Sequence, residues 1–559
     1  MSTRRQFLLE STAALIIAWR WTDLPATAFE AASETALEPN AYLRVDGSGA
    51  VTLWVTRLEM GQGVRTLLPT ILAEELGADW SKVRIEQASP GGRFKGIELH
   101  TSGSGSSSAA YRRLRTSAAA AREMLIAAAA TAWSVEPASC RAERGSIVHE
   151  PTGRRRTFGS LATSASKLPV PEQPRLKDPA SFTMLGKPMK RVDGPAIVAG
   201  RATYGIDVRV PGMLFASVER APTLGGTVVR FDGSAALRVA GVRHVVPVTT
   251  GILPGIAVVA DDNWSAQRGR AALTIEWALR PGPAFDSEPF LAALPSACDR
   301  AAFKVRYEGD AIAAMEAAAS RHDAIYVFPF QAHAPMEPMN CTADVRGDRA
   351  EIWAPTQTDV RTIAQVVKVT GLPESAVTLH CVMMGGGFGR RLFSDYHRTG
   401  WNTPPLPRQG RRSGRGVAAN VYHAGSYLAM VADVSVADDL SDLRVHRLTT
   451  IVDCGIALNP LGVIGQTESG ITWGLSAALL GKIDFKADAP VQKNFSDYHV
   501  MRIGQMPELN TVLLDSGAAP GGFGEHPVPL VAPAIANALF AASGIRVRQL
   551  PLRLDQRPA

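Results

Sequence analysis

The chain has 559 residues, 46% of them apolar and 20% charged, an ordinary globular composition for about three or four domains. Its net charge of +7, from 59 Lys+Arg against 52 Asp+Glu, is spread along the chain, and the one dense cluster, Arg408, Arg411, Arg412 and Arg415, reads as a solvated loop, so a nucleic-acid partner is excluded. Five widely spaced cysteines without a CxxC pair exclude a disulfide framework and a local zinc or iron–sulfur site.

In chain order, "MSTRRQFLLESTAALIIAWRWTDLPATAFEA" comes first. Arg4 and Arg5 precede a short apolar run, and Ala26-Thr27-Ala28 is a small-residue cleavage signature. Residues 1–28 are expected to be a twin-arginine export signal, too short to span a membrane, which sends the chain folded to the periplasm. No other run is long and apolar enough for a transmembrane segment.

Alternation over residues 40–58 predicts two strands joined at Asp46-Gly47. A helix follows "EMGQG", with Leu67, Ile71 and Leu76 on one face and Gly77 as its stop. A Gly/Ser loop from Thr101 to Ser108 opens a long helix carrying Tyr111, Leu114, Ala118, Leu125, Ala129 and Trp133. Residues near 169–188 read as a linker, and residues 186–280 as a compact, strand-rich α+β domain. From about 300 strands and helices mix, and "APAIANALFAASG" predicts a helix that Gly544 ends.

Four glycine turns lead into helices: GQG, SGSGSSS, GGGFGRR and GGFGE. Such a turn frees backbone N–H groups beside a helix N-terminus, and its glycines admit close approach, which suits a phosphate-bearing cofactor. The spacing is neither that of a nicotinamide fold nor that of a Walker A loop. Glutamines recur at turns, Gln62, Gln331, Gln357 and Gln466, and an amide can donate and accept at one edge. Glu525, ahead of the last helix, is a candidate general base or a carboxylate placed by a helix dipole. Glu337, in "HAPMEPMN", is a second candidate base or a turn-fixing residue.

Taken together, "EMGQGVRT", "QAHAPMEPMNCTADV", "GGGFGRR", "DCGIALNPLGVIGQTESGITWGLSAAL" and "GGFGEHPVPLVAPAIANALFAASG" occur in the order that resembles the molybdenum-binding large subunit of the xanthine dehydrogenase/aldehyde oxidase family, isoquinoline 1-oxidoreductase beta-subunit type. The resemblance implies a multi-domain α+β protein: a molybdopterin-binding segment at 40–165, a small hammerhead-like α/β domain at 186–280, and a molybdopterin-binding domain of mixed sheets and helices at 300–559. It implies a molybdopterin cytosine dinucleotide whose metal no side chain ligates. Gly386, Gly387, Phe388 and Gly389 would lie near the metal. Gly61, Gln62, Gly63 and Gln466 would bond the pterin and its phosphates, and Ser106, Ser107 and Ser108 would cradle the dinucleotide tail. Glu525 would be the base in hydroxylating an N-heterocycle or aldehyde, with water as oxygen source. Electrons would leave through a small [2Fe–2S] subunit, with a cytochrome c as a further acceptor, since this chain carries no iron–sulfur cluster.

In one respect the chain departs from that pattern. A block is missing between Tyr396 and Gly416, where only "HRTGWNTPPLPRQGRRSGR" joins the flanks. Its prolines and arginines predict an exposed loop. The apolar side of "AVTLHCVMM" and the metal side of Gly387 and Phe388 are then expected to be bared, with weak cofactor retention and little or no hydroxylase activity. Three readings follow: an exported hydroxylase subunit, an inactive internally deleted remnant that still binds its partner, or a generic phosphate-ligand binding protein.

Overall fold

A computed structural model describes residues 36–97, 99–249, 254–298, 308–392, 411–422 and 425–554. The export signal expected at 1–28 and most of the joining segment, residues 393–410, lie outside the described residues. The chain divides into two units: residues 1–56, 69–99 and 113–181 form one, and residues 57–68, 100–112 and 182–559 the other.

In the first unit, strands β1 (Leu37–Asn40), β2 (Leu43–Val45), β3 (Val51–Val55) and β4 (Val83–Gln87) lie in that order in one sheet. The turn expected at Asp46-Gly47 joins β2 to β3, with the Asp46 carboxylate accepting from the Ser48 and Ala50 N–H groups at 2.8 and 3.1 Å. Helices α1 (Val64–Leu76) and α2 (Ser106–Trp133) follow the GQG and Gly/Ser loops. Both begin in the second unit and continue into the first. A second sheet holds β5 (Cys140–Glu143), β6 (Ser146–His149) and β7 (Arg155–Thr157), with helix α3 (Phe158–Ala165) after it. Glu75, wholly buried, is bonded by Arg115 (2.7 Å), Arg122 and the Lys177 N–H (2.7 Å), so its charge is matched.

Residues 186–280 of the second unit hold β8 (Phe215–Arg220), β9 (Thr227–Asp232), β10 (Val242–Val248), β11 (Gly255–Ala260) and β12 (Thr274–Ala278), with helix α4 (Asn263–Ala271). They form a three-stranded sheet ordered β10-β11-β8 and the pair β12-β9. Next come β13 (Thr342–Val345), β14 (Ala350–Ala354), helix α5 (Asp359–Thr370) and β15 (Val377–Cys381), the last parallel to β14. An extensive core lies under the sheet of β16 (Arg411–Tyr422), β17 (Ser426–Ala437), β18 (Leu443–Asp453) and β19 (Glu508–Leu514). Helices α6 (Pro460–Leu479) and α7 (Val528–Ser543) supply its other half, through Ile471, Leu475, Val531, Ile535 and Leu539. Gly544 ends α7 as expected, at φ +75°, its N–H donating to the Phe540 carbonyl at 2.7 Å.

Two expectations about the shortened region are corrected. Residues 411–415 are not loop but the start of β16. Gly414 and Gly416 make this possible: a Cβ on Gly416 would sit 2.0 Å from the Ala538 amide, so the bare strand lies flush on α7. Arg415 stays in solvent on the opposite side, where it bonds Asp433 of the next strand at 2.9 Å. Nor is "AVTLHCVMM" bared. Leu379 and Met384 are buried, and β15 packs with Ile352, Ala350 and Ala354 in a small core of its own.

Candidate active site

Four segments of the second unit converge, and each is one of the glycine turns singled out by sequence. The first is Glu59–Gly63. Buried Glu59 accepts from the N–H groups of Gly61 (2.9 Å) and Gly63 (3.0 Å) with one oxygen and from Arg65 (3.1 Å) with the other. The two glycine amides are therefore taken, and a Cβ on either residue would meet open space. Gln62 accepts from the Met60 N–H at 2.7 Å and donates to the Leu58 carbonyl at 2.9 Å. One N–H of its amide remains for a ligand.

The second is the Gly/Ser loop. Buried Thr101 exchanges hydrogen bonds with the Leu58 backbone (2.8 and 3.1 Å), tying this loop to the first. Gly103 and Ser104 both have positive φ, and Ser104 Oγ accepts from the Glu525 N–H at 3.1 Å. Ser106, Ser107 and Ser108 form the first turn of the 28-residue helix α2, where backbone amides have no helical acceptor. Three such amides beside three hydroxyls suit an anion.

The third is Gly385–Arg391. Gly386, Phe388 and Gly389 lie at φ +98°, +50° and +85°. Gln357 holds this turn to the Gly/Ser loop: its Oε1 accepts from the Gly389 N–H (3.1 Å) and its Nε2 donates to the Thr101 carbonyl (3.0 Å). Gly387 faces Met60 and Gln357 so closely that a Cβ would come within 2.6 Å of the Met60 sulfur. Arg391 is wholly buried. It donates to the carbonyls of Gly386 (2.8 Å), Pro355 (3.0 Å) and Glu337 (3.0 Å), and to the Glu337 carboxylate (2.8 Å). Phe388 projects outward, nearly half exposed, with its ring 4.7 Å from that of Trp473 on α6. Gln466 stands half-buried on the same helix.

Glu337 is the turn-fixing residue, not a base. Its oxygens accept from Ile206 (3.0 Å), Asn340 (2.9 Å), Gly385 (2.8 Å) and Arg391 (2.8 Å), so both are occupied in joining these segments.

The fourth turn carries Glu525, whose side chain is exposed. Tyr422, at the end of β16, donates its hydroxyl to Glu525 Oε1, and that bond pushes the phenol up to about 12. Under this pair lies His526, fully buried, its ring 4.1 Å from Tyr422 and 5.2 Å from Phe523. The base candidate is thus fixed at its backbone by Ser104 and at its carboxylate by Tyr422.

Sequence reasoning missed Glu59, Arg391 and Tyr422 and left Gln357 without a role. Glu59 had a signal, an acid two residues ahead of the first glycine of GQG. Arg391 stood in the quoted GGGFGRR, where a buried cation is not distinguishable from a surface one. Tyr422 lies more than a hundred residues from Glu525, with no local mark.

The donors on offer are the first-turn amides of α2, serine hydroxyls and amide side chains, and among the described residues no three of His, Cys, Asp or Glu converge to hold a metal ion. That set fits a large anionic organic cofactor with an amide-like edge. The family described as molybdopterin cofactor-binding domain matches residues 17–228 and 361–507, and a second family of the same description matches residues 295–399. The chain belongs to this molybdopterin-binding family. It is a molybdopterin-dependent oxidoreductase of the xanthine dehydrogenase type.

Among its relatives, isoquinoline 1-oxidoreductase subunit beta of Brevundimonas diminuta is 25% identical, the alignment covering 99% of this chain and 96% of that one. The membrane-bound aldehyde dehydrogenase of Gluconacetobacter polyoxogenes is 24% identical over 93% and 91% of the two chains. The fold resembles that of quinoline 2-oxidoreductase from Pseudomonas putida 86, with a TM-score of 0.54 at 11% identity over 67% of this chain and 99% of that one. The first alignment runs over 763 positions and so exceeds the 559 residues of this molybdopterin-binding chain by 204. No helix among the described residues is long and apolar enough to cross a membrane.

Proposed function

We propose that the chain is the large subunit of a molybdenum hydroxylase that oxidises an N-heterocycle or an aldehyde with water as the oxygen source. The observation that supports this reading is the linking of four glycine turns through the Gly/Ser loop, which also holds the Glu525 backbone, with the carboxylate aimed by Tyr422. The cofactor is a molybdopterin cytosine dinucleotide. Ser106–Ser108 hold its dinucleotide phosphates at the α2 N-terminus, Gln62 and Gln466 bond the pterin edge, and Gly386–Gly389 with Phe388 line the metal side. When bound, this group supplies the two-electron acceptor for the substrate. Glu525 takes the proton released in the hydroxylation, and Tyr422 and Ser104 hold it in place. Electrons pass to a small [2Fe–2S] subunit and from there to an acceptor such as a cytochrome c. Residues 186–280 are the hammerhead-like domain.

A second reading rests on the 204 alignment positions beyond this chain's length: an inactive remnant that keeps its partner but not the cofactor. Expression with the iron–sulfur partner separates the two. Because the turns interlock and Leu379 of β15 stays buried, we expect close to one molybdenum per chain, with turnover of aldehydes or N-heterocycles on the order of ten per second. A stable iron-containing complex with almost no molybdenum would establish the remnant instead.

Export by the twin-arginine route completes the proposal, on the strength of Arg4-Arg5 and the short apolar run after them. Replacing both arginines by lysine is expected to leave the protein in the cytoplasm. Undiminished periplasmic recovery of that variant would remove the export reading.

A further inference from the structure

Strand register places four rows of side chains on the outer face of the β16–β19 sheet, opposite α6 and α7. Across β16, β17, β18 and β19 they read Arg415, Asp433, Arg447, Glu508; then Val417, Val431, Thr449, Asn510; then Ala419, Ala429, Ile451, Val512; then Val421, Tyr427, Asp453, Leu514. Val417, Val421, Tyr427, Ile451, Val512 and Leu514 are between 37% and 66% exposed. Six large apolar residues on one sheet face make a contiguous patch of the kind that marks an interaction surface.

We infer that this face binds a second copy of the same chain, sheet against sheet, about a two-fold axis running along the strands between β17 and β18. Such an axis sets β16 against β19 of the second copy and β17 against β18. The charged row alternates in sign, so every charge meets its opposite: Arg415 faces Glu508, and Asp433 faces Arg447. In the third row Ala419 meets Val512 and Ala429 meets Ile451, small against large. In the fourth, Val421 meets Leu514, and the Tyr427 hydroxyl faces the Asp453 carboxylate. The usual crossing of packed sheets, about 30°, shifts the corner rows by a few ångströms, within the reach of Arg and Glu. Within one copy Arg415 and Glu508 are three strands apart, about 14 Å, and cannot pair. The face measures about 400 Å² in projection. A standard interface buries about 800 Å² per partner, so the dimer belongs to the weak, concentration-dependent class.

The test is sedimentation velocity of the purified full chain from about 1 to 100 µM. The mean mass should climb from 59.5 kDa toward twice that value as concentration rises. Arg415→Glu and Glu508→Arg should each raise the dissociation constant at least about tenfold, since each sets like charges face to face. The double variant should recover most of the loss, because the swapped pair faces across the axis. Val421→Asp, at an exposed position that leaves the core intact, should abolish association. A chain that stays monomeric throughout the range overturns the inference. So does a dimer indifferent to Val421→Asp, or one whose single reversals are not rescued by the double swap.

Discussion

Glu525→Gln is expected to lower kcat by at least about a hundredfold, the low end for a positioned general base. The amide keeps the shape of the carboxylate and can still accept from Tyr422, but it has lost the basicity. Ser104 holds the backbone of residue 525 through its N–H, which the substitution leaves untouched. The other glycine turns are equally undisturbed, so the molybdenum content of the variant should equal that of the parent. Steady-state turnover and metal analysis on the same preparations give both answers. Near-normal turnover would mean that Glu525 is only a carboxylate three residues ahead of a helix, favoured there by the dipole of α7.

Arg391→Met is expected to cost about 3–5 kcal/mol of stability, the range for breaking a buried pair by removing one partner. Arg391 is fully buried and meets three carbonyls and one carboxylate from three separate stretches of chain. Methionine fills much the same volume but satisfies none of them. The Glu337 carboxylate is left with a buried, partly uncompensated charge, and the Gly385–Gly389 turn loses its anchor. Thermal unfolding of the variant should show a midpoint lowered by several degrees at least. Adding Glu337→Gln should return part of the loss, since the stranded charge goes with it. A single variant that melts with the parent would show that the turn is held by Gln357 and its own backbone alone.

The elements with a strong local pattern were legible in the sequence. The strand pair around Asp46, the helix stopped by Gly77, the long helix after the Gly/Ser loop (which begins at Ser106, inside the stretch read as loop) and the last helix stopped by Gly544 all depend on turn chemistry and periodicity within a few residues. The glycine turns were legible as turns. That they meet was not, because the atoms that join them, Thr101 to Leu58, Gln357 to Gly389 and Ser104 to Glu525, are long-range contacts of ordinary residues. Strand β16 was misread for a related reason. Its arginines and glycines look like loop composition, yet the glycines are what let it lie on α7, and Arg412 and Arg415 are exposed. The buried state of Arg391 follows from a pocket of carbonyls that no local pattern announces.

The hydrogen bond from the Glu525 amide to Ser104 spans 421 positions. At about 5–20 residues per second, a ribosome needs tens of seconds between making one partner and the other. Until then the Gly/Ser loop has no fourth turn to close against, and the early part of the chain waits with that edge of the cleft open. That contact is therefore a late event, made only after residue 525 has been synthesised. On the proposed export route the order of events would be release from the ribosome, closure of residue 104 on residue 525, then transport.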